Sequence, residues 1–297
     1  MARESMVLLK NDGILPLTGS ISKMAVIGPN SDERSILLGN YNGWPSRYTT
    51  LYEGICDGAP ESLRIYKAKG CDLIKDTPGG WAEQPLREAL IVGGKSDVIV
   101  LCLGLRPDIE GEEGDAYNSD LGGDRRSIDL PSAQLRLFDE LAKLGKPIVV
   151  VNSSGSAVNL SPLHDRAAAI LQVWYPGQAG GTALADILFG RCSPSGKLPV
   201  TFYKSDDDLP EFRDYSMNGR TYRYMKTEPL YPFGFGLGYA QLNLVQVTVD
   251  QARIEDGADC TVHVDVQNLS GSSAQDTVQI YLRQPDCPFD IPQLRLA

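Results

Sequence analysis

Four short apolar runs, none of them alternating with polar residues, limit what this chain can fold into. They are Met24-Ala25-Val26-Ile27-Gly28, Asp97-Val98-Ile99-Val100-Leu101-Cys102-Leu103-Gly104, Pro147-Ile148-Val149-Val150-Val151-Asn152 and Ala168-Ala169-Ile170-Leu171-Gln172-Val173-Trp174. Strands covered on both faces read this way, because successive side chains point to opposite faces and both faces are dry. Helical spacing lies between the runs. Residues 132–144 place Leu135, Phe138, Leu141 and Ala142 on one face, with Arg136, Asp139, Glu140 and Lys143 outside; residues 181–189 carry Ala183, Leu184, Ile187 and Leu188 before Gly190. Strands alternating with helices predict an α/β fold, a mainly parallel sheet flanked by helices with right-handed crossovers. In such sheets ligands lie beyond the C-terminal strand ends, here the loops after Gly28, Gly104, Asn152 and Trp174.

The two ends read differently. Residues 2–10 have the pattern of the last turns of a helix, stopped by Asn11-Asp12-Gly13, with no approach sequence before it. Past Gly238 the apolar period becomes two: Val245, Val247 and Val249; Val262, Val264 and Val266; Val278, Ile280 and Leu282, with turn signals at Asp256-Gly257 and Ser270-Gly271. These predict half-buried antiparallel strands. An immunoglobulin-like sandwich takes about seven strands and about 100 residues, more than remains here, so the sandwich reads as unfinished and the chain as cut at both ends.

A formal net charge of −10 disfavours phosphate backbones and anionic lipid, so nucleic acid and membrane surfaces are poor partners. No apolar run approaches the length that spans a bilayer, and the N-terminus shows no signal-peptide core, which leaves the compartment open. Six scattered cysteines form no CxxC pair and read as isolated thiols. The two histidines, His164 and His263, are far apart without ligand partners, so neither a metal site nor a Ser/His/Asp triad is expected. His263, between Val262 and Val264, reads as a surface position on a strand. Carboxylates are left as the main chemical candidates.

They crowd the loop after the second run: Glu110, Glu112, Glu113, Asp115, Asp120 and Asp124, followed by Arg125, with four glycines interspersed. Like charges this dense raise one another's pKa, which suits a general acid. The residues alone leave open a solvated acidic loop, the plainer reading, or a Ca²⁺ site, although no D-x-D-x-D-G pattern favours calcium. Residues 174–181 are glycine-rich but lack dinucleotide spacing and read as a tight turn with close helix–sheet packing. Tyr41 and Trp44, beside Asn42 and Arg47, suit a sugar, offering an apolar face and hydrogen bonds together, or equally belong to a loop that packs over the sheet. A second aromatic cluster, Tyr215, Tyr222, Tyr224, Tyr231 and Phe233, reads as packing over the sheet.

Several segments resemble glycoside hydrolase family 3, in order along nearly the whole chain: residues 3–17, Ala25-Val26-Ile27-Gly28-Pro29-Asn30, Gly39-Asn40-Tyr41-Asn42-Gly43, Trp174-Tyr175-Pro176-Gly177-Gln178, residues 194–202, residues 219–224 and Tyr231-Pro232-Phe233-Gly234-Phe235-Gly236-Leu237. The resemblance implies an exo-acting retaining β-glycosidase, a β-glucosidase or β-xylosidase, acting on oligosaccharides or aryl and alkyl β-glycosides without a cofactor. It implies residues 1–13 as the remnant of an interdomain helix or linker, 14–240 as the family's α/β domain, and 241–297 as the start of a fibronectin-III-like domain. The partner it implies is a TIM barrel, normally in the same chain, that supplies the nucleophile. The acid/base then falls on Glu110, with Glu112 next, while Asp124 and Arg125 pair to fix the loop. Residues 115–123 are an extra stretch relative to the family's usual spacing. The fragment alone is expected to be inactive. The competing reading is a non-catalytic carbohydrate- or nucleotide-binding α/β module.

Overall fold

The computed structural model describes residues 1–75, 83–110, 125–255, 257–283 and 291–297. The α/β elements run α1 (Ala2–Ser5), β1 (Val7–Asn11), β2 (Lys23–Ile27), α2 (Leu51–Gly58), β3 (Arg64–Ala68), α3 (Gln84–Gly94), β4 (Val98–Gly104), α4 (Ser132–Ala142), β5 (Ile148–Ser153), α5 (Ser161–His164), β6 (Ala169–Gln172), α6 (Gly180–Leu188) and α7 (Thr221–Tyr224). They build one six-stranded sheet in the order β1-β6-β5-β4-β2-β3, parallel except for β1, which pairs antiparallel with β6. The mainly parallel sheet flanked by helices is the fold class the sequence predicts.

The four apolar runs are β2, β4, β5 and β6. Period-two alternation splits them between two cores. Ile27, Ile99, Leu101, Val150 and Ile170 face α3 and α4 with Phe138 and Leu141. Met24, Val26, Val100, Val149, Val151 and Leu171 face α2 and α6 with Leu51, Ile55, Leu184 and Ile187. At roughly 1.5–3 kcal/mol for each fully buried Leu, Ile, Val or Phe, these two layers dominate the stability of the fold.

Helices α2 and α6 approach to backbone contact. A Cβ on Gly54 would lie 2.0 Å from the Gly181 carbonyl carbon, and one on Gly181 would lie 1.8 Å from the Thr50 carbonyl oxygen. Of the glycines in 174–181 expected to serve helix–sheet packing, Gly181 serves a helix–helix contact instead. Thr50 also caps α2: its hydroxyl accepts from Glu53 N at 3.2 Å, and the Glu53 carboxylate accepts from Thr50 N at 2.8 Å.

The N-terminal expectation is corrected. Only Ala2–Ser5 is helical; Val7–Asn11 is an edge strand of the sheet rather than part of a linker helix. Val7, Leu8 and Leu9 are all buried, and as a strand they divide between both cores, which a helical turn at the sheet edge would not achieve.

Past residue 240, β7 (Leu242–Val249) and β8 (Val262–Asn268) form an antiparallel pair, and β9 (Tyr281–Leu282) pairs with β10 (Arg295–Leu296). Two expectations change here. Leu244, Val245, Val247, Val249 and Val266 are exposed rather than half-buried, because no second sheet covers the pair among the described residues. Residues 278–280 join no ladder; instead Gln279 Nε2 donates to the Gly234 carbonyl at 2.8 Å. His263 is exposed on β8, as its sequence context predicts. Among the described residues no helix is long and apolar enough to cross a membrane.

Candidate active site

The C-terminal ends of β4, β5 and β6 carry the site, because the parallel sheet sets their loops side by side. After β4 the chain is held to its neighbour by Leu105 N donating to Ser153 O at 2.7 Å. It then turns, with Ile109 N and Glu110 N both donating to Arg106 O at 3.0 and 3.1 Å. Ile109 is buried in the core beneath, and Glu110 reaches across the C-terminal ends of β5 and β6.

Four donors meet the Glu110 carboxylate. Its Oε2 accepts from Gly155 N at 2.8 Å and from the Tyr175 hydroxyl; its Oε1 accepts from Ser156 N at 3.0 Å and from the Ser156 hydroxyl. A side chain at Gly155 would be tight: a Cβ would lie 3.0 Å from Tyr175 Cε2 and 3.2 Å from Glu110 Oε2, so either ring or carboxylate would have to shift by a few tenths of an ångström. Tyr175 is delivered by Trp174, whose φ of 58° lies in the left-handed region that non-glycine residues seldom occupy. That turn is secured by the indole Nε1 donating to Ser5 O at 2.9 Å and by an edge contact with Phe202. Burial, and then the charge of the Glu110 carboxylate, push the Tyr175 phenol far above its ordinary value, so it stays protonated and donates.

Beneath the 153–156 turn lies a buried amide network. Asn152 Nδ2 donates to Gln172 Oε1 at 2.5 Å and to Ser154 Oγ at 3.0 Å. Gln172 Nε2 donates to Ser154 O at 3.0 Å, and Ser154 Oγ donates to Ser156 O at 2.8 Å. The turn that holds Glu110 is thus itself held from below.

Glu110, Arg125, Gly155, Ser156 and Tyr175, with Asn40 and Pro107, line a cavity of about 350 Å³. Arg125 donates through Nη2 to the Asp129 carbonyl. Burial lowers the pKa of its guanidinium, while the nearby Glu110, Asp129 and Asp206 carboxylates act in the opposite direction. A carboxylate, a guanidinium and a phenol around an open cavity match the hydroxyl-rich surface of a sugar.

Of the residues singled out from sequence, Glu110 and Arg125 come together here. Glu112 and Asp124 lie outside the described residues. Tyr41 and Trp44 stand 93% and 91% exposed on the loop next to Asn40, and Tyr41 too has a left-handed φ, of 58°. In the second aromatic cluster Tyr231 is buried and hydrogen-bonded to His164 Nδ1 at 2.7 Å, and Tyr222 stacks on Phe233, whereas Tyr215 is exposed. Sequence reasoning missed Gly155, Ser156 and the role of Tyr175. The available signal was the run of small polar residues, Ser153-Ser154-Gly155-Ser156, directly after a buried strand.

These features define an α/β sandwich domain that presents a carboxylate from loops at its strand ends. The profile of the glycosyl hydrolase family 3 C-terminal domain matches residues 6–239, and the chain belongs to that family. It is 30% identical to a xylan 1,4-beta-xylosidase of Xylanibacter ruminicola, over 97% of this chain and 50% of the relative. It is 34% identical to thermostable beta-glucosidase B of Acetivibrio thermocellus, over 99% of this chain and 39% of the relative. The solved structure of a Bifidobacterium adolescentis GH3 beta-glucosidase superposes with a TM-score of 0.83 at 33% identity, covering 100% of this chain and 43% of that one. The chain spans half or less of the length of these relatives.

Proposed function

We propose that this chain supplies one wall of the sugar pocket and the acid/base carboxyl of an exo-acting retaining β-glycosidase, one that removes terminal β-linked glucose or xylose from oligosaccharides or simple β-glycosides. The observation that carries the reading is the Glu110-bearing loop, seated with Arg125 and Tyr175 at the strand-end cavity. Named relatives on both the xylosidase and the glucosidase side support the substrate class.

Retaining hydrolysis needs two carboxyl groups about 5–5.5 Å apart, one attacking the anomeric carbon and one protonating the leaving oxygen before activating water. The described residues lining the cavity contribute a single carboxylate, Glu110. The nucleophile is therefore assigned to a barrel domain preceding this one, and the proton donor to the 110–113 glutamates, with Glu110 and Glu112 as candidates. Arg125, with Asp124, fixes the loop. Tyr41 and Trp44 offer aromatic faces to the sugar. In domain terms, the α/β unit runs to about residue 240, and residues 241–297 begin a fibronectin-III-like unit. No cofactor enters this chemistry.

The test is nitrophenol release from nitrophenyl β-D-glucoside and β-D-xyloside, by this chain alone and by the chain joined behind a barrel domain of a family relative. Activity only in the joined protein, abolished by alanine at one loop glutamate and restored by azide, is expected. Hydrolysis by the chain alone would remove the need for a barrel nucleophile. Sugar binding without hydrolysis by the joined protein would turn the reading to a non-catalytic carbohydrate-binding module.

A further inference from the structure

We propose that Trp174 is a positioning residue that ties residues 1–6, the segment through which the preceding barrel would join, to the seat of the Glu110 carboxylate; this rests on the glycosidase reading above. β6 is followed by Val173, whose N–H donates to Asn152 O at 2.9 Å, and the chain then turns at Trp174 with a φ of 58°. A tryptophan persists in that left-handed conformation only where its surroundings over-determine it. A glycine would take the same φ without strain; what tryptophan adds is the indole. Its Nε1 donates to Ser5 O at 2.9 Å, across 169 residues of sequence, and its ring meets Phe202 edge-on with centroids 6.3 Å apart. Trp174 packs against one core, whereas the next residue, Tyr175, packs against the other and donates to Glu110 Oε2. One turn therefore has two arms, the indole on the first residues of the chain and the phenol on the carboxylate.

The Ser5 carbonyl is a fixed acceptor. On one side of it Arg3 pairs with Asp186, a buried carboxylate of α6 that also accepts from Arg191 Nε at 2.6 Å. On the other side Met6 is fully buried and leads straight into β1, which is paired to β6. Gly196 presses on the same backbone: a Cβ there would run into the Met6 carbonyl and stand 2.9 Å from Ser5 O. The segment is thus located from three directions. A shift of Ser5 passes to Glu110 through Trp174 and Tyr175 alone, without crossing the core.

Two experiments test this. Trp174→Phe keeps an aromatic ring beside Phe202 and removes the N–H. In the chain itself, amide hydrogen exchange at Gly155 and Ser156, the two backbone donors to Glu110, should accelerate by about tenfold or more. The amides of Val100 and Val149, in the buried central strands, should keep their wild-type rates. Arg3→Ala loosens the same segment from its other end and should accelerate the same two amides; it serves if Trp174→Phe does not fold. Wild-type exchange at Gly155 and Ser156, or equal acceleration at all four positions, overturns the proposal. In the joined protein, Trp174→Phe and Tyr175→Phe should each lower kcat by about tenfold with KM moved by less than about twofold. Because both act through one path, the double variant should lose no more than either single one. Losses that multiply overturn the shared path while leaving the glycosidase reading intact. An inactive joined wild type overturns the glycosidase reading, and the exchange result then decides the tie by itself.

Discussion

The side-chain amides of Asn152 and Gln172, both fully buried, meet across neighbouring strands, with Nδ2 of the first 2.5 Å from Oε1 of the second. Each also serves Ser154, so removing one leaves donors and acceptors of the others unpaired in a dry interior. Gln172→Ala is expected to lower stability by about 1–3 kcal/mol, on top of its lost packing, as read by urea unfolding. A change near zero would mean that the network is rebuilt by other partners.

The surroundings of two glycines, one in the α2–α6 contact and one on the surface, predict opposite effects of substitution. Gly181→Ala drives a methyl into the Thr50 carbonyl and should cost about 1–3 kcal/mol or more. Gly94→Ala, exposed at the end of α3 with nothing near its Cβ, should instead gain about 0.4–1 kcal/mol. Thermal unfolding of the two variants against wild type checks both signs.

Asp97 joins the start of β2 to β4 by accepting from Ser22 N, Ser22 Oγ and Lys23 N at 3.0, 2.9 and 2.9 Å. The Ser22 backbone bond, then the Ser22 hydroxyl, hold its pKa below the ordinary 3.8. A depressed carboxyl contributes stability above its unfolded value and loses it as pH falls through the lower folded value. Asp97→Asn should therefore be less stable than wild type near about pH 6, with the difference closing towards about pH 3. Urea unfolding at the two pH values measures it.

Burial pushes the Cys102 thiol up to about 12, whereas Cys56 is exposed on α2. Alkylation of the native protein at neutral pH should label Cys56 and spare Cys102 until the chain unfolds. Peptide mapping by mass spectrometry reads the outcome, and early labelling of Cys102 would contradict the packing described.

Trp44 and Tyr41 contribute little to the core, so alanine at either should move stability by no more than about 0.5 kcal/mol. If these rings stack on the sugar, KM of the joined protein should rise by about two- to tenfold. Unchanged KM with unchanged stability would remove them from the pocket.

The sheet was legible because its central strands are apolar on both faces, a pattern that survives without knowledge of the partners. The edge strands were not. Val7-Leu8-Leu9 is too short a run to separate strand from helix, and β3 carries Arg64 and Lys67 among its five residues. Helix α2 contains two glycines that obscure its period, although Thr50 and Glu53 spell its capping box. At the site, carboxylate density pointed only to the loop after β4; the family resemblance put the acid/base on Glu110, with Glu112 next. The Glu110 partners Gly155 and Tyr175 stand 45 and 65 residues away and are joined to it only by the strand order β6-β5-β4, which no local pattern encodes.

The antiparallel pairing of β1 with β6 bears on how the molecule is made. Val7 sits opposite Gln172, so the first strand of this sheet to leave the ribosome finds its neighbour only after every other strand of the sheet has emerged. At roughly 5–20 residues per second, that is a wait of about ten to thirty seconds. Throughout it, Val7, Leu8 and Leu9 travel as a bare adhesive segment, a natural target for nascent-chain chaperones. Completion of the sheet is the event that retires it.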